Sequence, residues 1–377
     1  MAKDKKKQIA TPAHDDLTQL IHDSLNKLFE DDGQVAYFLD GSQETPLDLT
    51  TFISTGATML DLAISNRPHG GIPVGRILEI TGLEGSGKSL LGASLIRQTQ
   101  LMGGIAILID TEMATNEQFL EAQGIDVKAL IVMNLDTIED VFSSITHIVE
   151  KIRSGGSDKF ITIVVDSIAG ASTKQEMESD FSKEGYATAK ALIIGKAMRK
   201  LTGMIGRQKI ALIFTNQLRH KMNAMPFADP WTTSGGKAIA FHSSVRIRLS
   251  QTGKLKDSDG NIMGVSVRAQ VTKNRVGPPH REAAFDIYFN RGIDDYSSWL
   301  SSMKDQKLIK QAGAWYSFTD EAGTETKFQS KDFKAFIEEN KARKEFIYKK
   351  ICEETIMKYE KEIDPDAVIR AEATDDE

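Results

Sequence analysis

Hydrophobic and polar positions follow two different periods along the chain. Between residues 54 and 225, short apolar runs alternate with longer stretches of helical periodicity, such as 138–152 and 187–205. The runs are apolar on both faces, which is typical of buried strands in a parallel sheet. They cover residues 105–110, 130–133, 161–166 and 210–215. This order of strands and helices predicts an α/β fold with a mostly parallel central sheet.

After residue 240 the pattern changes to strict alternation of apolar and polar residues. Such alternation predicts half-exposed antiparallel strands at one edge of the sheet, here at 244–249, 265–271 and 284–289. From about residue 292 the sequence is charged and helical, with an aromatic cluster at 314–318, which predicts a small C-terminal domain. Residues 360–377 contain eight acidic and two basic side chains, as in a solvated acidic tail.

An amphipathic helix is predicted over residues 15–29. Its apolar positions repeat at three- and four-residue spacing, and they are Leu17, Leu20, Ile21, Leu25, Leu28 and Phe29. The pattern leaves two interpretations open. The helix packs either on its own domain or, as an arm, on a neighbouring subunit.

Composition narrows the class of protein. The chain has 377 residues, of which 40% are hydrophobic, and contains no apolar run near the roughly 20 residues that span a bilayer. We therefore expect no membrane partner, and the low cysteine content suits a reducing cytoplasm. Cys352 is the single cysteine, which excludes an internal disulfide and a cysteine-cluster zinc site. The net charge of -6 does not indicate nucleic-acid binding, but a local basic groove can still bind DNA.

The clearest motif is a phosphate-binding loop of the form G-x-x-x-x-G-K-[ST]. A predicted strand precedes it and a predicted helix follows it, as this motif requires. Glycines allow backbone N–H groups to approach phosphate oxygens, Lys88 would reach the outer phosphates, and Ser89 would hold Mg²⁺. The sequence therefore predicts ATP and Mg²⁺ as ligands. The loop consists of Gly82, Leu83, Glu84, Gly85, Ser86, Gly87, Lys88 and Ser89.

Polar residues follow three of the predicted strands, at the sheet edge where α/β proteins bind ligands. Asp166 is a candidate magnesium ligand, with a helix N-cap as the alternative. Glu112 is the best candidate to activate or orient the attacking water, with Asp110 as its competitor and a surface salt bridge as the plain alternative. Gln217 could bond a γ-phosphate and transmit its loss to the following loop.

That loop, residues 219–237, combines cations, apolar side chains and a glycine pair. Arg219 and Lys221 could neutralise phosphates while Met222 and Trp231 contact bases, which is how single-stranded DNA is bound. A substrate lid or a protein-contact loop are the alternatives. Beyond it, Lys273 and Arg275 are either solvated charges or cations that act across a subunit interface.

Taken together, these motifs make the chain resemble the bacterial-type RecA recombinases, including phage-encoded relatives. The matching stretches occur in family order at 54–56, 75–89, 109–112, 164–167, 197–201, 216–219, 232–236, 271–275 and 312–317. The resemblance implies a RecA-type ATPase core with a mostly parallel central sheet and antiparallel edge strands at 53–291. It also implies a polymerisation arm at 1–52 and a small C-terminal α/β domain at 292–359, before the acidic tail.

The resemblance also implies an activity: a DNA-dependent ATPase that forms a helical filament on single-stranded DNA, pairs it with double-stranded DNA and exchanges strands. By this resemblance Glu112 is the catalytic glutamate and Gln217 senses the γ-phosphate. Lys273 and Arg275 act on the neighbouring subunit's ATP. The adenine would lie near Asn116 and Phe119, with Phe289 on its other side.

For DNA, the resemblance implies a first loop at 178–186 and a second at 219–236. Arg199 and Arg219 would meet backbone phosphates, and Met222 and Tyr186 would wedge between bases. The second loop also carries Trp231, Gly235 and Gly236.

The sequence departs from its relatives at Asn116, where many have Asp, and at Arg275, where Lys is more usual. Two other functions remain open: a hexameric helicase or ATPase clamp of the same fold, and a non-catalytic, ATP-gated filament on single-stranded DNA. A non-catalytic coat would not need Glu112.

Overall fold

The structure is a computed structural model that describes residues 16–29, 34–39, 45, 48–155, 159–179, 186–221, 229–320 and 323–359. The chain divides into two compact units, residues 1–50 and residues 51–377. Within the described residues, no helix is long and apolar enough to cross a membrane.

The first unit contains helix α1 (Asp16–Leu28), close to the bounds that the sequence predicts. Its polar face holds the segment that follows. Asn26 Oδ1 accepts the backbone N–H groups of Val35 at 2.9 Å and Ala36 at 2.8 Å, and His22 stacks on Phe38 with ring centroids 4.6 Å apart. The apolar face is exposed within the unit, with Leu20 65% and Leu28 72% accessible.

The second unit is built around a ten-stranded sheet. Its core strands β3, β4, β6 and β7 are parallel, and β7 continues past the sheet to pair with β8. A separate short pair is formed by β1 (Phe52–Ile53) and β2 (Ile72–Pro73). The sheet order is β12-β11-β10-β9-β3-β7-β6-β4-β5. The strands are β3 (Ile77–Gly82), β4 (Ile105–Asp110), β5 (Leu130–Asn134), β6 (Ile161–Asp166), β7 (Ile210–His220), β8 (Trp231–Thr233), β9 (Val245–Lys256), β10 (Ile262–Asn274), β11 (Glu282–Tyr288) and β12 (Gly292–Asp294).

Helices cover both faces of this sheet, as the apolar character of its central strands requires. One face packs against α2 and α3, and the other against α5 and α7. The helices of this part are α2 (Thr58–Ser65), α3 (Lys88–Leu101), α4 (Glu117–Ala122), α5 (Ile138–Gly155), α6 (Lys174–Met177), α7 (Tyr186–Gly206) and α8 (Ala238–His242). The predicted fold class is therefore confirmed.

Two details differ from the expectation. The run at 130–133 is not buried, because β5 is an edge strand: Ile131 is 51% exposed and Val132 43%. The first alternating strand, β9, is antiparallel to β10 but parallel to β3, with Ile80 opposite Ile247. The antiparallel edge therefore begins one strand later than predicted.

The remaining elements form a small aromatic core. A three-stranded antiparallel sheet carries Tyr316, Phe318 and Phe328, and Phe328 stacks on Phe336 with centroids 4.3 Å apart. Leu62 of α2 belongs to the same apolar cluster. The predicted boundary at residue 292 remains a prediction. These elements are α9 (Asp295–Asp305), β13 (Ile309–Ala312), β14 (Trp315–Thr319), β15 (Glu325–Gln329), α10 (Phe333–Glu338) and α11 (Lys341–Thr355).

Candidate nucleotide and DNA site

The phosphate-binding loop joins β3 to α3, as its motif predicts. A Cβ on Gly82 would lie 2.2 Å from Ser86 Oγ and 2.9 Å from the carbonyl oxygen of Leu249, so only glycine fits there. Gly87 has φ 92°, a left-handed conformation, immediately before α3 begins. The first turn of this helix therefore points its free N–H groups into the loop, which suits a phosphate.

Lys88 lies across this loop. Its Nζ donates to the carbonyl oxygens of Leu83 at 2.8 Å and Gly82 at 3.2 Å. Burial lowers the pKa of Lys88, while the charges of Asp166, Glu112 and Glu84 act in the opposite direction. The ammonium group is thus placed beside the carboxylates of the site, as the sequence predicts for a lysine that reaches phosphates.

Asp166 ends β6 within reach of the loop. Its carboxylate accepts the Thr215 hydroxyl at 2.5 Å and is also bonded by Ser89. Burial raises the pKa of Asp166, the hydroxyls of Thr215 and Ser89 oppose this shift, and the charges of Glu112 and Asp110 add to it. Without a cation nearby, ionisation of the Asp166 carboxyl is unfavourable. This carboxyl and the Ser89 hydroxyl therefore suit Mg²⁺ as ligands.

The N-cap alternative for Asp166 is wrong, because α6, the next helix in the described part of the chain, is capped by Thr173.

Glu112 and Asp110 have different environments. Asp110 is buried and accepts the backbone N–H groups of Glu112 at 2.9 Å and Thr115 at 2.8 Å, so it organises the loop. Glu112 is exposed, and its Oε1 accepts the Ser167 hydroxyl at 2.5 Å. Geometry therefore favours Glu112 as the carboxylate that meets the attacking water.

A cavity of 290 Å³ connects the predicted metal and base residues to the predicted adenine side. Ser89, Glu112, Asp166 and Phe119 all line it. Asn116 caps α4, because its Oδ1 accepts the backbone N–H of Gln118 at 2.8 Å.

Phe289, the other predicted adenine contact, is 42% exposed at the end of β11. The Gln123 amide, at the end of α4, donates to its carbonyl oxygen at 2.7 Å. This bond brings the α4 end and Phe289 together, although no ring contact joins Phe119 and Phe289 among the described pairs.

Gln217 lies opposite Gly82 in the parallel register of β7 and β3. Three residues further along β7, His220 pairs with Trp231 of β8, at the base of the second predicted DNA loop. A single strand thus runs from the phosphate loop to the second predicted DNA loop. This is the arrangement that a γ-phosphate sensor needs in order to influence DNA binding.

A buried polar network beneath this strand was missed by sequence reasoning. Asn216 Nδ2 donates to Glu79 Oε1 and to the Ser234 carbonyl oxygen, each at 3.0 Å. Glu79 is fully buried and also accepts Arg246 Nε at 2.6 Å. A charged residue inside the apolar run of β3 was the available signal, since buried carboxylates need partners.

The predicted DNA-binding residues are described in part. Arg219 is exposed near the end of β7, and Trp231 meets the His220 ring edge-on at 5.6 Å. Gly235 and Gly236 lie between β8 and α8. Met222 lies outside the described residues, as do 180–185 and the Tyr186 side chain.

Lys273, Arg275 and Arg199 lie in one cationic neighbourhood, although the resemblance gives them two roles. Lys273 Nζ donates to the carbonyl oxygens of Phe241 at 2.6 Å and Ala240 at 2.9 Å. Burial lowers the pKa of Lys273 to about 8, and Arg275 and Arg246 add to this shift. Arg275 and Arg199 are exposed, and their charges act with that of Lys273 on the adjoining His242.

Comparison with known proteins agrees with the fold and the site. The RecA N-terminal domain family matches residues 19–294. The chain is 36% identical over 320 residues to Protein RecA of Clostridioides difficile, which covers 85% of this chain and 87% of that protein. It is 38% identical over 288 residues to Protein RecA of Clostridium novyi, covering 76% and 78%. Protein RecA of Helicobacter pylori is 36% identical over 301 residues, covering 80% and 83%.

The matched region contains every predicted nucleotide-binding residue, from Gly82 to Phe289. The chain therefore belongs to the RecA family, the DNA-dependent ATPases of recombination and DNA repair.

Proposed function

We propose that this protein hydrolyses ATP in a helical filament on single-stranded DNA and uses that filament to pair and exchange strands with double-stranded DNA. The observation that carries the proposal is the position of Gln217. It lies beside Gly82 of the phosphate loop, on the strand that leads to Trp231. The nucleotide site and the DNA loop therefore share one structural element.

In this proposal each residue at the sheet edge has a separate task. Lys88 neutralises the outer phosphates, and Glu112, held by Ser167, orients the attacking water and accepts its proton. Ser89 and Asp166 would hold Mg²⁺, which would offset phosphate charge when bound. Asn116, Phe119 and Phe289 would surround the adenine.

Assembly is supported by two exposed features, each within its own unit. Helix α1 presents an apolar face with no described buried residue. Strand β5 is one of the two edge strands of the sheet and exposes Ile131 and Val132. An exposed apolar helix face and an uncovered strand edge are both surfaces that protein partners cover. We assign them to contacts between copies of this chain, with Lys273 and Arg275 acting on the neighbouring subunit's ATP.

The test is electron microscopy of the full chain with single-stranded DNA and a non-hydrolysable ATP analogue, together with steady-state ATP hydrolysis with and without that DNA. We expect helical filaments and hydrolysis that rises at least about tenfold with DNA, because assembly completes the site.

Other outcomes contradict the proposal in different ways. Closed rings would indicate the helicase or clamp alternative. Filaments without hydrolysis would indicate a non-catalytic coat. A hydrolysis rate that does not change when DNA is added would contradict the proposed coupling through β7.

A further inference from the structure

His242 lies at the end of α8, within the cationic cluster that contains Arg199, Lys273 and Arg275. The Lys273 ammonium group bonds the carbonyl oxygen of Phe241, the residue immediately before His242. The backbone N–H of Arg275 donates at 2.9 Å to the carbonyl oxygen of Ser244, two residues after it. The end of α8 is thus joined directly to the end of β10, where both cations reside.

The hydrogen bonds of Thr202 determine which nitrogen of His242 carries the proton. Thr202 Oγ1 donates its single proton to the Met198 carbonyl oxygen at 2.7 Å. The same oxygen lies 2.8 Å from His242 Nδ1. With its proton directed to the Met198 carbonyl oxygen, that hydroxyl can only accept from Nδ1, so we assign the proton of neutral His242 to Nδ1. Neutral His242 therefore has a lone pair at Nε2, and only a second proton converts Nε2 into a donor.

The charges that act on His242 come from two neighbouring elements and are all positive. They are Arg199 on α7, and Lys273 and Arg275 at the end of β10; the remaining neighbours described above, Thr202 and Phe241, are uncharged. Burial lowers the pKa of His242 below its ordinary value of 6.5, and these three cations lower it further. The neutral form of the imidazole is thus favoured while the cluster holds no anion.

A bound anion would raise the pKa of His242 again. A phosphate oxygen bound by the three cations offsets their charge and offers an acceptor to Nε2–H, and both effects favour the doubly protonated ring. Such a cluster takes up a proton as it binds phosphate.

We propose that His242 completes a phosphate-binding cluster with Arg199, Lys273 and Arg275, and that it bonds the phosphate only after taking a second proton from solvent. This inference rests on the proposed function, because the phosphate would belong either to the neighbouring subunit's ATP or to the DNA backbone. In both cases His242 links assembly to pH.

Titration calorimetry of the full chain in two buffers with different ionisation enthalpies measures the protons taken up. One arm titrates oligothymidylate into protein without nucleotide, and the second titrates a non-hydrolysable ATP analogue into the protein–oligothymidylate complex. At about pH 6.5 we expect an uptake on the order of half a proton per subunit, absent in His242→Gln. Uptake in the first arm identifies a DNA phosphate, and uptake in the second identifies a nucleotide phosphate.

Glutamine is the informative replacement, because its amide can still donate to Thr202 but cannot be protonated. His147→Gln removes an exposed histidine from α5 and should leave the uptake unchanged. Equal uptake by wild type and His242→Gln would overturn the inference. A wild-type protein that binds neither ligand would instead contradict the proposed function.

Discussion

The Glu112 carboxylate accepts the Ser167 hydroxyl at 2.5 Å, while Asp110 holds the loop of Glu112 independently. Glu112→Gln keeps the shape and the bond from Ser167, but an amide cannot take a proton from water. We expect ATP turnover with single-stranded DNA to fall at least about 100-fold, as for removal of a general base. ATP-dependent DNA binding, measured by fluorescence anisotropy, should persist.

Ser167→Ala is the matched control, because it changes the orientation of the Glu112 carboxylate and not its ability to accept a proton. It leaves the Glu112 carboxylate in place but removes the bond that orients it, so turnover should fall less than in Glu112→Gln. Near-normal turnover in Glu112→Gln would show that another group activates the water.

A second residue, Asp61, makes stability depend on pH. Burial raises the pKa of this carboxyl from 3.8 to about 7, although Ser54 and Thr55 donate hydrogen bonds that oppose the shift. The folded state therefore keeps a proton that the unfolded state loses between these two values. This stabilisation is present below pH 3.8 and is lost as the pH rises to about 7.

Asp61→Asn removes this titration and keeps an oxygen for the Thr55 donors. Relative to that variant, wild type should lose about 1.4 kcal/mol of unfolding free energy per pH unit between about pH 5 and 7. Chemical denaturation of both proteins across this range measures the difference. A constant difference would mean that Asp61 stays ionised throughout.

The sequence ranked Glu112 above Asp110 but could not exclude Asp110, since both carboxylates lie at the end of the same strand. The choice depends on where the backbone N–H groups of the loop point. The motif, by contrast, was enough to predict the phosphate loop. Ser86 approaches Gly82 too closely for any side chain at that position, and the positive φ of Gly87 favours glycine. The Asn216–Glu79–Arg246 network joins residues far apart in sequence, and no local pattern reveals such a network.

At the scale of elements, periodicity identified the strands and helices well, but neighbours decided their exposure. The apolar run of β5 resembles that of β4, yet β5 is an edge strand and three of its five residues are exposed. Alternation in β9 correctly indicated a less buried strand. It could not reveal that β9 pairs in parallel with β3, since strand direction depends on the connection rather than on the local pattern.

Helix α1 allows an element-scale test of assembly. Leu20→Glu places a charge in its exposed apolar stripe, so the helix should survive while any partner surface is lost. Burial of one such side chain is worth about 1.5 to 3 kcal/mol, so self-association should weaken about 10- to 100-fold. Sedimentation velocity over a range of protein concentrations measures this change.

Gln19→Lys is the control, because it also adds a charge one position away, where its ammonium group can still donate to Asp23. It should assemble like wild type. If both variants assemble equally well, the apolar face of α1 does not contact a neighbour.

At the scale of the molecule, hydrogen bonds as well as packing hold α11 and the residues after it on the ATPase core. Asn66, at the end of α2, accepts the Met357 backbone N–H at 2.8 Å and donates to its carbonyl oxygen at 2.9 Å. Arg281 of the core donates to Asn66 Oδ1 at 2.9 Å and also to the Thr355 carbonyl oxygen. These bonds, with the packing of Leu62 in the C-terminal apolar cluster, join the last helix to the rest of the unit 51–377 despite the change in sequence character near 292.

Asn66→Gly should release α11 without disturbing the rest of the core. Asn66 has φ 51°, a left-handed conformation that glycine adopts freely, so the variant removes the amide and keeps the backbone. Loss of its hydrogen bonds costs about 1 to 3 kcal/mol, so the amides of α11 should exchange with solvent about 10- to 100-fold faster.

Lys307→Gly, at an exposed left-handed position after α9, is the control and should leave this rate unchanged. Hydrogen exchange followed by mass spectrometry resolves α11 from β3 and β7. If α11 in Asn66→Gly exchanges like wild type, packing of its apolar face, and not the bonds to Asn66, holds it on the core.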